Sequence, residues 1–106
     1  MKPEATIRHH IVDLMRNKLG FSVWDLEQNR ATRQTPGIPD LIISGFGQHF
    51  HVEVKVPGKK ETAGQTAFRN TCNANGGLSL VWYSDVDAMD WCHREGIVKL
   101  HDEAVT

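Results

Sequence analysis

The chain has no long apolar run. No apolar stretch in the 106 residues approaches the length of roughly 20 residues that a membrane-spanning helix needs. The first ten residues, MKPEATIRHH, also lack the apolar stretch of a secretory signal peptide. We therefore expect a cytoplasmic protein with no membrane association.

Cysteine is scarce as well. The chain has 2 cysteines, Cys72 and Cys92, and their separation matches no metal-binding spacing. We expect reduced thiols in the core, with a disulfide between them as the alternative.

A strong charge of one sign is also absent. With 12 basic and 13 acidic residues, the formal net charge is −1, which argues against a protein that coats nucleic acid by charge alone. There is no repeat, linker or low-complexity segment, and the length suits one domain, residues 1–106, with a hydrophobic core of its own.

The informative stretch is Pro36 to Lys55, PGIPDLIISGFGQHFHVEVK. Residues 41–43 form a short apolar run, and residues 50–56 alternate between apolar and polar side chains, so each predicts a strand. A loop at residues 45–48 would join them as a hairpin.

A turn centred between Phe46 and Gly47 sets the register of that hairpin, and it places Asp40 opposite Glu53. Directly opposed residues share a face and have Cβ atoms roughly 5 Å apart. Side chains alternate along a strand, so Lys55 lies on the same face as Glu53. A slip of one residue would bury charges among aliphatic side chains, which favours this register.

Two carboxylates that close would repel each other unless a cation lay between them, so Asp40 and Glu53 predict a divalent metal site. The alternative is an ordinary amphipathic hairpin with a hydrated polar face. His51 shares the face of Glu53, and we expect a substrate contact or a plain polar residue there rather than a metal ligand.

The remaining pattern predicts an α/β fold, a mixed central sheet of about four strands with helices on both sides. Leu78 to Tyr83 looks buried on both faces, as an inner strand would be. The predicted helices are Pro3 to Leu19, Ala63 to about Asn75, and a third capped by Asp85 and running to about Arg94; the other predicted strands are Phe21 to Leu26 and Ile97 to Leu100.

Two motifs, GIPDL at residues 37–41 and VEVKVPG at residues 52–58, resemble the PD-(D/E)xK nuclease superfamily and, within it, the small VRR-NUC family. The resemblance also includes Glu4 on the first helix, Arg33 before the PD element and Gln65 after the ExK strand, and it covers roughly residues 4–85. It implies a restriction-endonuclease-like sheet and an active site in which Asp40, Glu53, Lys55, Glu4 and Gln65 are catalytic.

The resemblance also implies the metal and its ligands. Magnesium, with manganese able to replace it, would be held by Asp40, Glu53, the backbone carbonyl of Val54 and Glu4, the last directly or through water. The residues alone allow plainer roles: Glu4 favours the positive end of its helix, and Gln65 completes a capping box with Thr62.

Basic residues near the motifs are candidates for contacts to DNA phosphates. They are Arg30, Arg33, Lys59, Lys60 and Arg69. The alternative is a scattered set of solvated charges.

The resemblance thus suggests a metal-dependent DNA endonuclease that acts on branched DNA such as four-way junctions, in the host cytoplasm if a phage encodes it. Symmetric cutting of a junction takes two active sites, so a homodimer is expected, with an outer strand or the Trp91 region as its interface. One alternative is a related nuclease acting on duplexes, flaps or DNA ends. The other is a catalytically silent nucleic-acid-binding module of the same fold.

Overall fold

A computed structural model describes residues 3–26 and 37–98, and the elements follow the predicted order. They are helix α1 (Pro3–Val12), which continues as a π-helix (Asp13–Lys18), strand β1 (Ser22–Asp25), strand β2 (Leu41–Gly45), strand β3 (Gln48–Val54), helix α2 (Ala63–Ala74), strand β4 (Ser79–Trp82) and helix α3 (Asp85–Arg94). None of these described helices combines the length and apolarity needed to cross a membrane.

The first helix ends close to the predicted residue, but its last turns are wound more widely than an α-helix. The backbone N–H of Leu19 donates to the carbonyl of Leu14 at 2.9 Å, five residues back. Gly20 then ends the helix with a φ of 86°, a conformation that glycine adopts without strain.

The four strands form one mixed sheet, as predicted, and their order in it is β1-β2-β3-β4. Strands β1, β2 and β3 are antiparallel neighbours, and β4 runs parallel to β3. The β2–β3 hairpin has the predicted register, with Leu41 opposite Val52 and Ile43 opposite Phe50. Its two-residue turn, Phe46-Gly47, has positive φ at both positions, as the tight hairpin turns that match strand twist require.

One face of the sheet carries the hydrophobic core, and α1, the π-helix and α3 cover it. The buried cluster consists of Ile11, Met15, Phe21, Val23, Leu41, Ile43, Phe50, Val52, Val54, Trp82, Ala88, Trp91 and Cys92. Helix α2 lies over β3 and β4 on the opposite face, where the Phe68 ring contacts the His51 ring edge-on at 5.4 Å. Cys72 and Cys92 are both free thiols, so the disulfide alternative is wrong; only Cys92 lies in the core, because Cys72 is half-buried on α2.

Three local predictions are corrected by the structure. Strand β4 is an outer strand rather than an inner one, since the part of the chain that the structure describes places no strand beyond it. Helix α3 is capped by Ser84, whose hydroxyl accepts from the backbone N–H of Asp87 at 3.3 Å, and Asp85 is the first helical residue. Residues 97 and 98 are not in a strand, and residues 99–100 of that predicted strand lie outside the described residues.

Candidate metal centre

Three carboxylates meet at the end of the sheet where β3 finishes and β2 begins. Glu4 comes from the first turn of α1, Asp40 directly precedes β2, and Glu53 lies near the end of β3. Each offers an oxygen atom, and the three atoms lie within 4.8 Å of one another. The hairpin therefore brings Asp40 and Glu53 together as the register predicts, and α1 adds Glu4.

Asp40 is held rigidly from both neighbouring strands. Its side chain is 1% exposed, and its Oδ2 accepts from the backbone N–H of Val54 at 2.9 Å. Its own carbonyl accepts from the backbone N–H of Leu26 at 2.9 Å. The PD and ExK motifs are thus joined by a direct hydrogen bond, which fixes the position of Asp40 relative to Glu53.

Glu53 is also buried, with 5% of its surface exposed. Its Oε2 accepts from the side-chain amide of Gln65 at 3.0 Å, while its Oε1 has no hydrogen-bond partner among the described residues. Burial raises the pKa of Glu53 to about 9; the charge of Asp40, a hydrogen bond with Asp40 and the charge of Glu4 add to the rise, and Lys55 opposes it. Ionising Glu53 beside the other two carboxylates is therefore unfavourable unless a cation is present.

A small, hard divalent cation fits this donor set. Magnesium binds carboxylate oxygens at 2.0 to 2.1 Å, so two ligands on opposite sides of the ion lie about 4.2 Å apart. The three oxygens, within 4.8 Å of one another, approach that spacing. Such an ion would also give the buried Oε1 of Glu53 a partner and would favour the ionised form of the carboxylate.

Gln65 serves the helix and the site together. Its Oε1 accepts from the backbone N–H of Thr62 at 2.8 Å, and its backbone N–H donates to the Thr62 hydroxyl at 3.2 Å, which completes the predicted capping box. Its amide nitrogen remains to donate to Glu53. Gln65 therefore caps α2 and also lies beside the candidate metal centre.

A close backbone contact holds the start of α2 against the segment that leads to Asp40. Gly37 has a φ of 92°, and a Cβ atom there would lie 2.4 Å from the carbonyl oxygen of Gly64. Only glycine permits that approach without displacing the backbone. The contact brings the PD segment and the Gln65 turn together.

Comparison with known proteins supports the same fold. No protein-family model matches the sequence, and no curated protein matches it. A solved structure described as "VRR_NUC domain" superposes with a TM-score of 0.69 at 22% sequence identity, covering 89% of this chain and 97% of that chain. The chain has the fold of a VRR_NUC domain. This likeness confirms the predicted fold class.

Lys55 follows the last residue of β3 in this VRR_NUC fold. Its backbone N–H donates to the carbonyl of Trp82 at 3.0 Å, which keeps the chain in the sheet as far as the lysine. Its positive charge lowers the pKa of Glu53 and so opposes the rise that burial causes. Lys55 is therefore close enough to the carboxylates to influence them.

The predicted DNA-binding residues differ in their surroundings. Lys59 and Lys60 are exposed, whereas Arg69 forms a forked ion pair with Glu61, with its Nη2 2.8 Å and its Nε 3.2 Å from carboxylate oxygens. That hydrogen bonding holds the pKa of Glu61 below its usual range. The charge of Arg69 is thus compensated within the chain, while Arg30 and Arg33 lie outside the described residues.

The sequence-based prediction missed an ion pair one helical turn from Glu4. Arg8 is 8% exposed, and its Nε lies 3.2 Å from Oδ2 of Asp25, a side chain that is itself 3% exposed. The sequence does contain a sign of this ion pair, because strand alternation puts Asp25 on the same face of β1 as Val23, and that face packs on the core. A carboxylate on a buried face needs a cationic partner, and Arg8 joins α1 to β1 beside the site.

His51 lies outside the carboxylate cluster among the described residues. Its Nδ1 is 3.9 Å from the Cys72 thiol, and its ring packs edge-on against Phe68. Burial lowers the pKa of His51, and the nearby His49 adds to that effect. The structure thus favours a neutral packing residue at this position.

Proposed function

We propose that the chain is a metal-dependent endonuclease that hydrolyses phosphodiester bonds in DNA. The observation that carries this proposal is the cluster in which Glu4, Asp40 and Glu53 each place a carboxylate oxygen within 4.8 Å of the others, with Asp40 and Glu53 buried. The likeness to a VRR_NUC domain supplies the fold, and the GIPDL and VEVKVPG motifs supply the reaction class by resemblance.

The ion would be Mg²⁺, or Mn²⁺ in its place, held by Asp40, Glu53, the carbonyl of Val54 and Glu4, the last directly or through water. When bound, it supplies an activated water molecule and neutralises the charge that builds on the phosphate. Asp40 contributes a ligand already fixed by the Val54 N–H. Gln65 holds the other acid in place by donating to Oε2 of Glu53, which leaves Oε1 for the ion.

Lys55 would act on the attacking water or on the phosphate. Its Cα is about 7 Å from that of Glu53 on the same side of the chain, two residues along an extended strand. An ammonium group there can orient the water or stabilise the negative phosphate, and a neutral amine can accept the proton of the water. Lys55→Arg separates these roles, because arginine keeps the charge but does not accept a proton.

The substrate would be branched DNA, and the active form a homodimer, because symmetric cutting of a four-way junction needs two active sites. Extension of the sheet between two copies is not supported. Arg16 donates to the outward carbonyl of Val23 on β1 at 2.6 Å, and the Asn73 side chain bonds both the N–H and the carbonyl of Ser79 on β4. Trp91 itself is 5% exposed, so an interface in the Trp91 region would be formed by the residues around it.

The decisive experiment is cleavage of labelled duplex, flap, splayed and four-way DNA with magnesium, with manganese and with chelator. We expect cleavage with either ion, none with chelator, and none with Asp40→Asn or Glu53→Gln at any metal concentration. Metal-dependent cleavage that survives in both variants would refute the assignment. A protein that binds DNA but never cuts it would be the silent binding module instead.

The oligomeric state is a separate question, which light scattering coupled to gel filtration answers. A monomer at working concentration would remove the symmetric-junction model and leave a nuclease that acts on duplexes, flaps or ends.

A further inference from the structure

Trp24 is an exposed aromatic side chain on an otherwise ordered strand. It is 52% exposed, whereas the other two tryptophans, Trp82 and Trp91, are 3% and 5% exposed. Burying an aromatic side chain is among the more favourable contributions to stability in a small domain, so an exposed tryptophan in the middle of a strand is notable. Its neighbour Val23 points into the core, which places the indole on the other face of the sheet.

The sheet register puts Trp24 on the same face as the candidate metal centre. Trp24 is paired with Ile42, and Ile42 is paired with His51, so all three share a face. Glu53 follows His51 by two residues on that face. With strands about 4.8 Å apart and a rise of about 3.3 Å per residue, the Cα atoms of Trp24 and Glu53 are about 12 Å apart.

Among the described residues, the surface around Trp24 carries no acid besides those of the candidate metal centre itself, and it offers hydrogen-bond donors. The side chains beside it on this face of β1, β2 and β3 are Ser22, Ile42, Ser44, His49 and His51. Ser44 and His49 are hydrogen-bonded to each other across the hairpin. The acid of β1, Asp25, points to the other side, where it pairs with Arg8. In the part of the chain that the structure describes, a polyanion bound at the metal centre therefore meets no further negative side chain on this face between the centre and Trp24.

We propose that Trp24 stacks on an unpaired base of the DNA substrate, three or four nucleotides from the phosphate that is cut. The spacing follows from the 12 Å separation and a rise of about 3.4 Å per nucleotide in stacked DNA. An exposed aromatic face recognises bases that have left the double helix, because paired bases already stack on their neighbours. This inference rests on the proposed function, and it names the feature of the branched substrate that the site would select: unpaired bases beside the cut, as a flap, a splayed arm or the opened centre of a four-way junction provides.

Intrinsic fluorescence tests the contact without cleavage. Because Trp82 and Trp91 are buried, quenching by an oligonucleotide in chelator reports on Trp24. We expect a single-stranded oligothymidine to quench the wild-type protein and to leave Trp24→Leu unquenched. Quenching of equal size in both proteins, or in neither, would overturn the proposal.

Binding of DNA of different shapes tests the selectivity. Trp24→Ala is expected to raise the Kd for splayed DNA roughly 5- to 100-fold, the effect of losing one base–aromatic stack, and Trp24→Phe is expected to recover part of that loss. For a blunt duplex the Kd of Trp24→Ala should change less than about twofold, because a duplex offers no unpaired base to stack on. An equal loss on both DNAs, or dissociation of a dimer by Trp24→Ala, would show a different role for the side chain.

Phe46 provides the matched control. It is 61% exposed, more than Trp24, but it lies in the hairpin turn, six residues and about 20 Å along β2 from Asp40. Phe46→Leu should leave both Kd values unchanged; a loss equal to that of Trp24→Ala would mean that apolar exposure, not position, matters.

The two proposals fail separately. Metal-dependent cleavage without quenching removes the stacking contact and leaves the nuclease, whereas quenching without cleavage removes the nuclease and leaves a contact to single-stranded DNA.

Discussion

The side chain of Gln65 joins the beginning of α2 to the carboxylate of Glu53. Its oxygen accepts from the backbone N–H of Thr62 at 2.8 Å and its nitrogen donates to Oε2 of Glu53 at 3.0 Å. Both ends of the amide are engaged, so Glu53 has a fixed orientation before any ion binds.

Gln65→Ala should therefore weaken metal binding as well as the helix. Loss of a group that orients a metal ligand typically costs 10- to 100-fold in metal affinity, and we expect about tenfold for Mn²⁺ by titration calorimetry. Thr62→Ala is the control, since it loses the cap, worth about 1 kcal/mol in the free energy of unfolding, and leaves the bond to Glu53. Equal Mn²⁺ affinities in the two variants would show that Gln65 is only a cap.

Gly37→Ala should destabilise the protein more than Gly58→Ala. Gly37 and Gly58 have φ angles of 92° and 89°, so the two substitutions carry the same backbone strain. At Gly37 the new Cβ atom would lie 2.4 Å from the carbonyl oxygen of Gly64, whereas at Gly58 it would meet nothing within 4 Å. The strain costs about 1 to 2 kcal/mol at each site, and the clash adds about 1 to 3 kcal/mol at Gly37. Urea unfolding measures both; equal losses would mean that the Gly37–Gly64 contact relaxes freely.

The raised pKa of Glu53 predicts how stability depends on pH without metal. The carboxyl has an ordinary pKa of 4.5 and a folded-state pKa of about 9, so between these values the folded protein holds a proton that the unfolded chain has released. The contribution of Glu53 to the free energy of unfolding should therefore be fully present below that window and be lost as pH rises through it, by at most about 1.4 kcal/mol per pH unit. Urea unfolding in chelator across this window measures the slope.

Glu53→Gln should remove that slope, because the amide does not ionise, and saturating magnesium should reduce it in the wild-type protein by stabilising the ionised form. A fall in stability of the same size in Glu53→Gln and in the wild-type protein would assign the proton to another group.

Arg8→Met should cause a large loss of stability. Removing one partner of a buried ion pair leaves the other charge uncompensated and costs about 3 to 5 kcal/mol, and the side chains of Arg8 and Asp25 are 10% and 3% exposed. Lys18→Met is the control, because its pair with Asp13 at 3.7 Å is exposed and such pairs contribute at most about 1 kcal/mol. Losses of similar size in the urea midpoints would contradict the structural role of Arg8.

The local pattern was enough to predict the hairpin that carries the site. Alternation from Phe50 onwards and the apolar run after Asp40 allow only one register without burying charge, and the Phe46-Gly47 turn agrees with it. The capping box at Thr62 and Gln65 is equally local, since its bonds span three residues.

Contacts between distant segments could not be predicted in the same way. The hydrogen bond from Gln65 to Glu53 and the approach of Gly37 to Gly64 depend on where α2 packs. Strand β4 was misassigned as an inner strand because its apolar residues indicate burial without saying whether a helix or another strand supplies it.

The central claim is that Glu4, Asp40 and Glu53 hold one divalent ion. Anomalous diffraction from a crystal grown with Mn²⁺ tests it most directly. We predict an anomalous peak at about 2.0 to 2.4 Å from carboxylate oxygens of Asp40 and Glu53, with Glu4 bound directly or through a water, and no peak in Glu53→Gln. Full manganese occupancy elsewhere on the protein, with no peak among these three carboxylates, would contradict the account.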